Sequence, residues 1–321
     1  MSQRQSFARL KAHISARILG QEYLVDRLLI ALLADGHLLV EGAPGLAKTT
    51  AVKALATGLA GDFHRIQFTP DLLPADLTGT EVFRPQDGSF HFQPGPIFHN
   101  ILLADEINRA PAKVQSALLE AMEEQQVTIG RETYRLPPLF MVMATQNPLE
   151  HEGTYPLPEA QLDRFLMYVR VGYPDAAGEK AILELARAMA RGGTGAPEVG
   201  PPLAESAVFA ARAEALELTM VPALDDYLVA LVAATRDPAP YEPALGEWVR
   251  WGASPRATLA LDRCARAHAW LAGRDYVSPE DIHAIAHDVL RHRILLSFEA
   301  EAEGITTDRM VDELLQRVPT P

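Results

Sequence analysis

The sequence predicts an α/β protein: a parallel five-stranded sheet with helices on both faces, followed by an all-α domain. Three observations lead there. Five short apolar runs punctuate residues 37–171, helical patterns separate several of them, and from Tyr173-Pro174 onward the strand pattern gives way to Ala, Leu, Glu and Arg. At 321 residues and about 150 residues per domain, two domains are expected, divided as 1–172 and 173–321.

The elements follow in order. The first 21 residues carry Arg4, Arg9, Lys11 and Arg17 and no acids, a weak transit-peptide look, but Phe7, Leu10, Ile14 and Ile18 recur at helical spacing and predict a docked first helix. The apolar runs "HLLVEG" (37–42), "FHRIQF" (63–68), "NILLADE" (100–106), "LFMVMATQN" (139–147) and "RFLMYVRV" (164–171) read as buried strands. Val52, Leu55 and Leu59 mark a helical face after the first run; Val114, Leu118, Leu119 and Met122 mark another after the third. Two insertions project from this scheme. "EVFRPQDGSFHF", within residues 71–98, has a hairpin signal at Asp87-Gly88, and "QVTIGRETYRL" (126–136) reads as strand, Gly130 turn, strand. "RGGTGAPEVGPPL" (191–203) reads as a flexible connector, and Ser278-Pro279-Glu280-Asp281 starts a helix near residue 279. No internal repeat is found.

A net charge of −13 disfavours a surface built mainly to attract phosphate backbones, although local basic patches stay open. The single cysteine, Cys264, excludes an internal disulfide and sits in an apolar stretch that predicts a buried, inert thiol. No run approaches the roughly 18 apolar residues of a membrane span, and a reducing cytosol is the expected location.

The candidate chemistry lies at strand ends. "GAPGLAKTT" (Gly42, Ala43, Pro44, Gly45, Leu46, Ala47, Lys48, Thr49, Thr50) follows a strand and opens a helix, but Ala47 stands where G-x-x-x-x-G-K-[ST] asks for glycine. Alone it fits a phosphate loop or an ordinary strand-to-helix turn equally well. As a phosphate loop its amides would cradle ATP, Lys48 would reach the β and γ oxygens, and Thr49 would ligand Mg²⁺. Pro44-Gly45 suits a type II turn with Gly45 at φ > 0, leaving Ala47 as an ordinary first helical residue. Asp105-Glu106 decides between the readings. Two carboxylates ending a buried strand lie where α/β ligands bind, so Asp105 is expected to hold Mg²⁺ through water and Glu106 to orient and deprotonate the attacking water. Gln146 and Asn147 end the fourth run, where a neutral amide can position that water, or where Asn-Pro simply marks a turn. His283 and His287, at i, i+4, lack a following glutamate and a third ligand, and read as helix-face histidines.

With those residues in view, the chain resembles the MoxR family of AAA+ ATPases over residues 18–320, through "GAPGLAKT", "LLADEINRAPAKVQSALLEAMEE", "ATQNPLEHEGTYPLPEAQLDRF" and "GASPRATLAL". That family commonly has alanine before the lysine. The resemblance implies a homo-oligomeric ring, usually a hexamer, with ATP between neighbours. It also implies sensor 1 at Asn147, an arginine finger at Arg164 and sensor 2 at Arg256, with residues 71–98 as the helix-2 insert and 126–136 as the hairpin before sensor 1. Guanidinium forks suit the last two roles because they match phosphate oxygens and stay charged. From the residues alone, Arg164 reads as a salt-bridge partner of Asp163 or Glu159, and Arg256 as an exposed residue of a first helical turn.

Three functions compete. An ATP-hydrolysing ring that remodels or activates partner proteins leads, and the resemblance implies a client or adaptor with a von Willebrand factor A domain. A nucleic-acid motor would use Arg84, Arg131 and Arg135 near the hairpins, against the overall charge and the scarcity of aromatic platforms there. A nucleotide-gated scaffold without useful turnover would not need both Asp105 and Glu106.

Overall fold

The computed structural model describes all residues except Met1, Pro44, Asp87, 149–152 and 192–200. Pro44 of the expected turn, Asp87 of the hairpin signal and most of the 191–203 connector therefore lie outside the described residues.

Helix α1 (Gln3–Ser15) starts at a capping box in which Ser2 and Gln5 bond each other's backbone N–H, and it buries Phe7, Leu10 and Ile14. Helix α2 (Glu22–Leu33) is apolar almost all round and is buried accordingly. There follow β1 (Leu38–Gly42), α3 (Lys48–Gly58), β2 (Phe63–Gln67), the short α4 (Pro74–Thr78), the hairpin β3 (Gly79–Arg84) and β4 (Ser89–Pro94), β5 (Ile101–Asp105) and α5 (Ala112–Glu124). The hairpin β6 (Gln126–Ile129) and β7 (Glu132–Arg135), then β8 (Met141–Gln146), α6 (Glu159–Leu162) and β9 (Met167–Val171), complete the first half.

The five expected strands form one parallel sheet in the order β2-β5-β8-β1-β9. The runs of β1, β5 and β8 are almost continuously apolar because both faces are covered, whereas the edge strand β2 buries only Ile66; the period of two sends alternate side chains to different cores. Leu38, Val40, Leu103 and Met143 join α1, α2 and α3 on one side; Leu39, Leu102, Ala104 and Val142 join α5 on the other. The two hairpins stand off the sheet and lean on each other, with Phe92 stacked on Tyr134 at a centroid distance of 4.0 Å.

The second half runs α7 (Ala176–Ala190), α8 (Glu205–Leu216), α9 (Pro222–Ala234), α10 (Pro243–Trp248), β10 (Val249–Trp251), α11 (Pro255–Leu271), α12 (Pro279–Leu290), β11 (Leu295–Leu296), α13 (Phe298–Ala302) and α14 (Thr307–Arg317). Helix α12 starts at Pro279 behind the Ser278–Asp281 capping box, as its sequence asks. The expectation of an all-helical second half needs one correction: β10 and β11 pair as an antiparallel ladder. Segments this short carry no readable periodicity.

The core does not divide at residue 172. Residues of α8, α9, α11 and α12 pack into the same apolar cluster as α1, α2 and one face of the sheet. Ion pairs reinforce that junction. Arg293, only 2 % exposed, pairs with Asp163 at 2.8 Å and donates to the Phe165 and Leu166 carbonyls at 2.6 and 3.2 Å. A buried guanidinium is tolerated because each of those donors has an acceptor. Arg170 on β9 lies 3.6 Å from Glu41 on β1 and 3.0 Å from Asp308 on α14. Cys264 is fully buried, and burial pushes its thiol pKa up to about 12. His283 bonds the Tyr227 hydroxyl and His287 bonds Asp312, so the two rings serve different partners. Among the described residues no helix is long and apolar enough to cross a membrane.

Candidate active site

The loop after β1 and the ends of β2, β5 and β8 enclose a cavity of about 380 Å³. Gly42 leaves the strand where a Cβ would stand 2.8 Å from the Val171 carbonyl, so that position requires glycine. Gly45 requires it for another reason, its φ of +86°. Lys48 donates to the Gly42 carbonyl at 2.5 Å. Burial lowers the Lys48 pKa, opposed by the carboxylates of Asp105, Glu106 and Glu41. Helix α3 has no acid in its first turn and no side-chain cap, which leaves its leading N–H groups available to an anion.

Ala47 overturns one expectation. It is not an ordinary helical residue but sits at φ 56°, ψ 15° as the N-cap of α3, in the left-handed region. The loop thus makes two left-handed steps, at Gly45 and again at Ala47. Glycine before the lysine would supply the second step freely; alanine makes it at a cost of roughly 1 to 2 kcal/mol.

Asp105 ends β5, and Glu106 follows in a left-handed conformation of its own, φ 58°, ψ 51°. Both carboxylates border the cavity together with Lys48, Thr49 and Asn147. Three residues that sequence reasoning did not single out hold them. The buried Thr145 hydroxyl donates to Asp105 at 2.5 Å and accepts the Glu106 N–H at 2.9 Å. Arg65 pairs with Asp105 at 2.6 Å, and Gln67 donates to Glu106 at 2.6 Å. The available signal was the polar Arg65 and Gln67 recurring two apart in the strand, in register with Leu103 and Asp105. Arg109 also reaches Glu106, at 3.4 Å.

The donor set suits Mg²⁺. The Thr49 hydroxyl and Asp105 carboxylate are hard oxygen donors lining one cavity, while no group of three His, Cys, Asp or Glu able to hold a metal exists among the described residues. An ion that keeps its waters and shares phosphate oxygens needs no such protein cage.

Arg164 and Arg256 do not line this cavity. They line another, of about 290 Å³, where α5, the segment before β9 and the start of α11 meet. The salt bridge expected for Arg164 exists with a different acid: Arg164 pairs with Glu123 at 3.1 Å, not with Asp163 or Glu159. Asp163 is already engaged by Arg293 and the Ser254 hydroxyl. Arg256 also pairs with Glu123.

This arrangement agrees with the chain's relatives. Residues 37–167 match the ATPase family associated with various cellular activities (AAA), and 246–314 match the AAA lid domain. The chain is 47 % identical to Chaperone MoxR1 of Mycobacterium tuberculosis over 95 % of its own length and 79 % of that protein. It is 33 % identical to Protein MoxR of Methylorubrum extorquens over 99 % of its length and 96 % of that protein. A crystal structure of a protein from Cytophaga hutchinsonii superposes with a TM-score of 0.92 at 46 % identity, covering 99 % of this chain and 96 % of that one. The sheet order, the strand-end carboxylates and these relatives together place the chain in the MoxR family of AAA+ ATPases.

Proposed function

We propose that the protein hydrolyses ATP with Mg²⁺ as a cytoplasmic homo-oligomeric ring, a hexamer, and uses the cycle to remodel or activate a client protein. One observation carries this reading: the uncapped start of α3, Lys48, Asp105 and Glu106 converge on a single cavity. The α3 amides and Lys48 bind the triphosphate. Thr49 and Asp105 would hold Mg²⁺, which would supply charge neutralisation to the phosphates. Glu106 takes the proton of the attacking water, and Asn147 helps to place that water. Gln67 donates to one Glu106 oxygen at 2.6 Å and so helps to fix the carboxylate that receives this proton. Arg164 and Arg256, which line a different cavity from Lys48, serve the nucleotide of a neighbouring subunit. An adaptor or client with a von Willebrand factor A domain fits the projecting hairpins, whose tips expose Phe83 and Phe90. The test is Glu106→Gln: it should bind ATP, assemble and retain client while turnover falls at least a hundredfold. Turnover equal to wild type would remove Glu106 as the base.

A further inference from the structure

The second cavity is lined by four guanidiniums, Arg164, Arg256, Arg263 and Arg293. Its carboxylates are unevenly committed. Asp163 belongs to Arg293 and Ser254 and Asp35 to Arg212, which leaves Glu123, at the end of α5, facing Arg164 and Arg256. One Glu123 oxygen meets Arg164 from the sheet domain and the other meets Arg256 from the first turn of α11. A single carboxylate therefore spans two arginines from different halves of the chain, and it lies where an oxyanion bridging them would sit. The three side chains are 31 %, 46 % and 32 % exposed, so a group from outside can reach them.

We infer that Glu123 is an internal placeholder for the terminal phosphate of a nucleotide held by a second copy of this chain, and that assembly requires its displacement. This rests on the proposed role of Arg164 and Arg256 toward a neighbour. The carboxylate offers one charge and two oxygens, whereas a terminal phosphate offers more charge and three acceptors to the same forks. Ion pairs this exposed are individually weak, so Glu123 raises the threshold for assembly without preventing it. Free subunits keep two adjacent cations compensated; assembled subunits exchange that partner for phosphate.

The experiment measures assembly with MgATP by sedimentation velocity over a range of subunit concentrations, in a Glu106→Gln background so that nucleotide persists. Adding Glu123→Gln, which preserves shape and removes the charge, should lower the half-assembly concentration about fivefold. The neighbouring exposed Glu124 controls for net charge, and Glu124→Gln should leave the midpoint in place. An unchanged or higher midpoint for Glu123→Gln, or an equal shift for Glu124→Gln, overturns the inference while the ring reading stands. If the Glu106→Gln chain fails to assemble at any concentration, the ring reading fails and takes the inference with it.

Discussion

Ala47→Gly should be one of the uncommon alanine-to-glycine changes that does not destabilise. At φ 56° the native residue is strained, and glycine would recover about 1 to 2 kcal/mol in the folded state. Against this stand about 0.4 to 1 kcal/mol of added freedom in the unfolded chain and about 0.4 kcal/mol for a partly buried methyl. The balance is about 0.5 kcal/mol of stabilisation. Ala54→Gly, in the body of the same helix and almost fully buried, has no strain to release and should lose about 2 kcal/mol of propensity and packing. Urea unfolding of the nucleotide-free variants, with m-values compared, separates the two cases. A loss of 1 kcal/mol or more from Ala47→Gly would show that Ala47 is relaxed and that the two-step account of the loop is wrong.

Two further predictions follow from the same cavity and its surroundings. Thr145→Val keeps shape but leaves the Glu106 N–H and one Asp105 oxygen without their partner; stability should fall by about 1 to 3 kcal/mol and turnover about 10- to 100-fold, read from unfolding curves and steady-state ATP hydrolysis. His37 is buried, accepts the Val142 N–H on one ring nitrogen and faces the Met122 carbonyl with the other, and burial lowers its pKa from 6.5 to about 4. Above pH 6.5 both states are neutral there and stability is flat; below it the unfolded chain takes a proton that the folded chain refuses, so stability falls by roughly 2 kcal/mol by pH 5. His37→Gln should be less stable at pH 7 yet lose less between pH 7 and 5, measured by urea unfolding at each pH.

Much of the fold was legible because it rests on burial. Runs such as Ile101–Ala104 and Met141–Thr145 are covered on both faces, and this leaves an unbroken apolar signature that spacing can find. Asp105-Glu106 stood out for the complementary reason, as charge at the end of such a run. What escaped depended on relations between strands or on backbone angles. Thr145 holds the Asp105 carboxylate and the Glu106 backbone N–H only because β8 lies beside β5, a pairing that no local pattern reveals. The φ of Ala47 is demanded by where the amides must point, and alanine is usually a sign of relaxed helix. Arg164 found Glu123, far along the chain, because α5 returns its end to the segment before β9.

Arg170 couples the strand that enters the Gly42–Thr49 loop to the last helix, since Glu41 immediately precedes Gly42 and Asp308 lies in the first turn of α14. Met310, Val311, Leu314 and Val318 seat that helix in the same apolar core as Leu38, Val40 and Val169. The helix is thus fastened twice to the strands beneath the loop, once by charge at its start and once by burial along its length, so it cannot shift without straining the strand from which Gly42 departs.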